Sequence, residues 1–488
     1  MILKLNILYL INILFSVSFQ VLLVRLFGVA LQTDVYYLSL GISQFTSGLF
    51  TGLLCDLYIP VYNDIKANSE DESKRFAGAV FSLMFITGFV ISTSVFIFAP
   101  YLVKVFASGF TPEKVAFSAK LVRILSVSIL FTSLTIVVNA ILNANLFMSI
   151  TYLTALSIPL FNLIALLLFA KQYGIEAVIY AMVFSSILNF LILFIYLIKR
   201  IGWKLSNPFT QSDISYLLKQ NIPIRAGNII YLLKGPITTN VLSYFPTGYI
   251  TLFNYADRLL SISFNITNSP TLQILYVKES NLLSRKKLEE LKDVLLLTIR
   301  SNTILFIGVI IPTMVFFKEV FGFLFAPKVT SSQISVMYYL FLALIPFYLT
   351  LSFEMPFVNI TFTMKKGLKV LQIAIVFIIL YSLFLLGGVK LLGVYIIPIA
   401  PFLAQLYNTV TYVRFVNKNL HIVDLNMLKT IGKFYIFVAL LISLNAVFRN
   451  HFFCNLYLNI FLILLWFLFT QAETITAFQF ITRKGEVK

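Results

Sequence analysis

Charge is scarce in this chain. Asp, Glu, Lys and Arg make up 11% of its 488 residues, where a soluble domain carries about a quarter. That supply cannot cover a water-facing surface, and the high apolar content is the opposite of a disordered composition. A soluble globular domain and a disordered chain are both excluded. Histidine is nearly absent, with His421 and His451 alone, so a zinc site or a histidine-centred triad has almost nothing to work with. Cys55 and Cys454 sit near opposite ends of the sequence and support neither a disulfide framework nor a metal site. No nucleotide-binding loop is present and no cofactor is implied. Acids are scarcer than bases, 19 against 37, for a formal charge of +18. That excess invites a nucleic-acid reading, but in so apolar a chain the useful question is where the bases sit.

What is present is hydrophobicity: 59% of residues are apolar, 16% are aromatic, and the mean hydropathy is +0.94. A spanning helix needs about 20 apolar residues, and the runs predict about fourteen spans. Those that matter below fall near 5–27, 35–57, 76–100, 121–143, 221–244, 249–275 and 335–360. The first lacks a small-residue cleavage site and reads as a membrane helix rather than a removed signal peptide. With the N-terminus inside, the inner segments carry most of the 37 bases. They include Lys199, Arg200, Lys204, Arg285, Lys286, Lys287, Lys365, Lys366, Lys369, Arg483, Lys484 and Lys488. That is the positive-inside pattern, and it predicts a multi-pass protein of a bacterial inner membrane with both termini cytoplasmic.

The spacing predicts an all-α polytopic protein. Residues 1–200 form a first six-helix lobe, 201–220 a cytoplasmic connector, and 221–415 a second, pseudo-symmetric six-helix lobe. Residues 416–488 supply a C-terminal helix pair and a basic tail. Two equal lobes of this kind are a transporter architecture.

Charges at bilayer depth are costly and mark function more often than fold. In the 249–275 span, Asn254, Arg258, Ser261, Asn265 and Asn268 recur at helical spacing on one face. Such a stripe suits a helix lining a water-filled cavity; the competing reading is a buried interface joined by amide hydrogen bonds. Asp257 points about 100° away from Arg258. The 221–244 span carries Arg225 and Lys234, the latter followed by Gly235 and Pro236, where a kink is expected. Snorkelling accounts equally well for Arg225, and a structural ion pair for Lys234. Glu354, beside Pro356, is either a cation or proton site or a partner for Lys234. Polar residues Asn12, Ser16 and Gln20, and Ser39, Ser43 and Thr46, recur along the first two spans and suit packing seams better than a cavity wall. Deep bases against few deep acids favour an anionic cargo such as a phosphate or pyrophosphate.

Specific strings then carry a resemblance. RLFGVALQTDVYYL (Arg25–Leu38), ASGFTPEKVAFSAKLVRIL (Ala107–Leu125), ILNANLF with PLFN (Ile141 to Asn162) and YADRL (Tyr255–Leu259) resemble, in order, segments of the MurJ/MviN family. These are lipid II flippases of the multidrug/oligosaccharidyl-lipid/polysaccharide exporter superfamily. The resemblance implies fourteen helices and alternating-access transport of an undecaprenyl-pyrophosphate-linked saccharide, with membrane lipids as surroundings and a monomeric state. By the same likeness Arg258 matches the family's eighth-helix cavity arginine, and Asp34 the aspartate after its first helix. Asp34, Glu354 and Asp257 are then candidates for coupling or gating, by Na⁺, H⁺ or the membrane potential. The chain departs from the pattern too. Ile13 and Phe19 stand near first-helix positions where the family has arginine, the second span has no base, and Ser261 replaces an acid.

Three function classes compete. A flippase of lipid II or a related lipid-linked saccharide leads, and a Wzx-type unit flippase for O-antigen, capsule or exopolysaccharide is its near alternative. A MATE-type drug antiporter would need deep acids for a cationic substrate. A polytopic polymerase or ligase would need catalytic residues on a substantial external loop, and the external loops here are short.

Overall fold

The computed structural model describes residues 2–464 except 146, 203, 205, 209–225, 365, 448–456 and 462. Arg225, His451, Cys454 and the basic tail therefore lie outside the described residues, as does most of the last predicted span. The described residues are all-α. The helices are α1 (Ile2–Phe27), α2 (Leu31–Asn68), α3 (Glu70–Phe106), α4 (Pro112–Ala144), α5 (Met148–Ala155), α6 (Ser157–Tyr173) and α7 (Glu176–Arg200). After residues 226–232, also helical, come α8 (Lys234–Leu242), α9 (Tyr249–Ser284), α10 (Leu288–Val315), α11 (Phe317–Phe325), α12 (Ser331–Thr363), α13 (Gly367–Leu392), α14 (Ile396–Leu420) and α15 (Leu425–Val447).

Local chemistry sets the ends of these helices. Ser69 caps α3 by accepting from the Glu72 N–H at 3.2 Å, and Glu70, Asp71 and Glu72 place acid at the positive end of the helix dipole. Pro112 opens α4, where its missing N–H costs nothing. A capping box between Thr330 and Gln333 starts α12. Proline also explains the break between α5 and α6. Pro159 cannot donate to the Ala155 carbonyl, and the Asn12 side-chain amide of α1 donates to that carbonyl instead, at 3.4 Å. Gln20 bonds the Tyr37 hydroxyl of α2, so the polar stripe of α1 is a packing seam.

Eight described helical segments are long and apolar enough to cross a membrane. Their outward faces carry Phe85, Phe89, Phe96 and Phe98 on α3, Leu167 and Leu168 on α6, and Leu383, Leu386 and Leu391 on α13, all exposed. Apolar exposure on this scale would be a liability in water and is ordinary against lipid.

By contact the chain divides into two compact units: Met1–Thr251 with Leu324–Val329, and Leu252–Phe323 with Thr330–Lys488. In the first, α4 is central and packs on α2, α3 and α7. Its core includes the stacked rings of Tyr58, Tyr62 and Phe76, together with Phe81, Leu134, Val138 and Leu193. In the second, α12 is the centre, packed on α10, α14 and α15, with α13 against α14.

Candidate functional site

α9 is unbroken from Tyr249 to Ser284, so the spacing of its polar residues does place Asn254, Arg258, Ser261, Asn265 and Asn268 along one side. Their burial is graded. Arg258 and Asn265 are exposed, Asn254 and Ser261 half-buried, and Asn268 fully buried with its amide donating to the Phe264 carbonyl and to Thr267. Among the described residues no carboxylate lies within ion-pair distance of Arg258. Asp257 turns the other way: its Oδ1 accepts from the Tyr348 hydroxyl of α12 at 2.9 Å. Tyr348 in turn packs on Phe264 of α9, ring centroids 5.7 Å apart. Asp257 and Tyr348 thus pin α9 to α12 and leave Arg258 on the open side. Tyr348 carried no signal in the sequence, since a lone tyrosine in an apolar helix is unremarkable.

Lys234 belongs to the first unit. Pro236 removes the hydrogen bond to the Leu232 carbonyl, and the helix is interrupted at Leu233, one residue before Lys234. Lys234 itself is half-buried. The break falls where the Gly235–Pro236 pair predicts a disturbance of the helix.

Asp34 stands in the first turn of α2 with 2% of its surface exposed. Its Oδ2 accepts from the Gly248 N–H at 2.5 Å, and its Oδ1 accepts from the Thr251 N–H at 2.9 Å and the Thr251 hydroxyl at 2.6 Å. Thr33 and Thr251 hydroxyls lie 3.0 Å apart. Gly248 and Thr251 are the cap and third residues of α9, and their N–H groups are among those a helix start leaves unpaired. Asp34 therefore supplies from α2 the acceptor that a capping side chain ordinarily supplies from the helix itself. Gly248 has φ +102°, and a Cβ there would sit 2.4 Å from Val29 Cγ1, so glycine is required on both counts.

Further bonds hold the same end of the first unit. The Asn240 amide donates to the Val105 carbonyl, the Gly109 N–H to Ser243 Oγ, Lys114 Nζ to Thr247, and Arg25 Nε to the Leu324 carbonyl, at 2.7 to 2.9 Å. The turn after α3 and the first turn of α4 are thus tied to the segment between α8 and α9, and the last turn of α1 to α11. Sequence reasoning singled out Asp34 and missed its partners. The one available signal was Gly248 followed three residues later by Thr251 at the head of a helix.

Glu354 is buried in α12, and its Oε2 accepts from the Gln405 amide at 2.7 Å and the Thr409 hydroxyl at 2.8 Å, both on α14. One turn earlier, Thr350 and Tyr435 hydroxyls meet at 2.7 Å and join α12 to α15. The carboxyl group is therefore built into a helix-to-helix contact. Among the described residues no cluster of three or more His, Cys, Asp or Glu could hold a metal ion.

The family model described as lipid II flippase MurJ matches residues 23–468. The chain belongs to the MurJ family. Probable lipid II flippases MurJ are its relatives. That of Buchnera aphidicola subsp. Schizaphis graminum is 27% identical over 335 residues, 66% of this chain and 64% of the relative. That of Rickettsia prowazekii is 26% identical over 293 residues, 57% and 56%. The aligned stretch thus spans less than two thirds of each curated relative. In fold, the chain is similar to a lipid II flippase MurJ in an inward closed conformation, with a TM-score of 0.74 at 19% identity, over 97% of this chain and 99% of the other. An inward-facing multidrug MATE transporter of the MOP superfamily gives 0.70 at 14% identity, over 86% and 96%. The MurJ match covers all the strings that suggested it, and Asp34, Lys234, Arg258 and Glu354 all fall within the matched residues.

Proposed function

We propose that this protein is an inner-membrane flippase that moves lipid II, an undecaprenyl-pyrophosphate-linked saccharide, outward by alternating access. It acts as a monomer with both termini cytoplasmic. The observation that carries this reading is Arg258: an exposed guanidinium with no carboxylate partner among the described residues, on a polar helical stripe, in a chain of the MurJ family. An arginine fork matches pyrophosphate oxygens in pairs. Lys234, beside its helix break, and Arg225 are assigned as further cations for an anionic cargo. The network around Asp34 is assigned to the outer gate. Releasing cargo to the outside requires those bonds to part, and the cap on α9 is then exchanged for water.

The membrane potential supplies a drive without a dedicated ion site. A negative head group moving outward is favoured by about 2.3 kcal/mol per charge per 100 mV. Glu354 is assigned as a helix staple, since its carboxyl oxygen already takes two donors.

One observation favours a second cargo. Arg25 sits at the end of α1 bonded to the Leu324 carbonyl, and the only base of α2 is Lys66 in its last turn. The first two helices thus offer no mid-span cation, and a polysaccharide repeat unit on the same polyprenyl pyrophosphate is the alternative. Expression in a strain depleted of its own lipid II flippase separates the two. Rescue supports lipid II; failure despite membrane expression, with rescue of a strain lacking an O-antigen or capsule unit flippase, supports the alternative.

A further inference from the structure

Where α3 ends and α4 begins, the first unit has an open groove of about 680 Å³, inside the range of roughly 300–1,000 Å³ typical of small-molecule sites. Small side chains make the space, notably Ala107, Ala116 and Ala119, and the lining holds two cations, Lys104 and Arg123, and no carboxylate. Both cations are exposed, and among the described residues neither lies within ion-pair distance of an acid. Their neighbours are already engaged: Lys114 by Thr247, and Lys120 by Glu176 at 2.7 Å.

Arg123 is held in place without neutralisation. Pro100 cannot donate to the Phe96 carbonyl, and Arg123 Nε donates to that freed oxygen at 3.4 Å, with the guanidinium 5.9 Å from the Phe96 ring centroid. Its terminal nitrogens remain as donors. Arg123 lies about 16 Å along α4 from Pro112, at the level of Phe96, whereas Lys104 is in the last turn of α3. Arg123 is therefore the deeper of the two charges and Lys104 the one nearer the helix end, and the adjoining α3 surface of Phe98, Tyr101 and Val105 is exposed. The occupant that meets a charged mouth, a deeper cation and an apolar wall together is amphiphilic and anionic.

We propose that this groove binds the phosphate head of an anionic diacyl phospholipid, with Lys104 and Arg123 providing the charge and the α3 face receiving an acyl chain. The site is separate from the cargo residues, and its test involves no transport.

Native mass spectrometry of the purified full chain, with phosphatidylglycerol or phosphatidylcholine added, is the direct experiment. Phosphatidylglycerol is retained in preference, and Lys104→Gln and Arg123→Gln each weaken that retention about fivefold. Lys120→Gln leaves it unchanged. Should Arg123→Gln fail to fold, Lys104→Glu at an exposed position carries the test alone. Equal retention of the two lipids, retention unaffected by Lys104→Glu, or displacement of the lipid by millimolar inorganic phosphate each overturns the proposal.

Discussion

Asp34 shows how much one side chain can decide. It is nearly fully buried and committed to three donors at the start of another helix. Asp34→Asn keeps the shape and loses acceptor capacity at the cap, a cost of about 1 kcal/mol. We expect the variant to reach the membrane folded, with transport impaired because the gate no longer closes firmly; complementation beside detergent-solubilised melting measures both. Glu354 has a sharper two-way test. Glu354→Gln still offers Gln405 and Thr409 an acceptor, so transport and stability should persist. Glu354→Leu strands both donors and should cost about 1–3 kcal/mol in thermal melting. Loss of transport in Glu354→Gln at unchanged stability would instead make this carboxyl a coupling group.

Glu279, just past the 249–275 span, is buried with no hydrogen-bond partner for either oxygen among the described residues, and burial pushes its carboxyl up to about 8. The folded state then holds a proton that the unfolded state releases near 4.5. Stability should fall as pH rises from about 5 to about 8 and level off above that. Glu279→Gln should flatten that slope in a pH series of melting curves.

At the scale of elements, α9 depends on the glycine that precedes it. Gly248→Ala adds a Cβ against Val29 at a positive φ, which should displace the start of α9 and lower both stability and complementation more than Asp34→Asn does. Hydropathy located the elements well, yet the helices outrun the apolar runs: 35–57 became Leu31–Asn68, and 121–143 became Pro112–Ala144. A hydropathy window sees the stretch suited to hydrocarbon, while backbone hydrogen bonding continues through polar residues beyond it. The polar stretch of α9 is not among the eight segments that qualify as spans by length and composition. It carries Arg258, and the polarity of its stripe is what weakens the span signal. The stripe on α9 was legible because a helical period is visible in sequence. The partners of Asp34 and Glu354 were not, because Thr251, Gln405 and Thr409 are brought in by packing between helices and no local pattern marks them.

For the whole molecule, family and fold agree, while Ile13 and Phe19 stand near first-helix positions where the resemblance implies arginine. Scarce charge, read at the outset as evidence of a membrane protein, ends as a short set of residues that can be removed one at a time. Lys234→Ala should reduce transport at normal membrane levels, since the loss of one cation weakens the hold on the head group. The central claim rests on Arg258. The most direct measurement is translocation of labelled lipid II across proteoliposomes containing the purified chain, with the wild type beside Arg258→Ala under an imposed potential. The account predicts potential-dependent movement by the wild type and none above the protein-free background by a folded Arg258→Ala. Equal movement by the two proteins would contradict it.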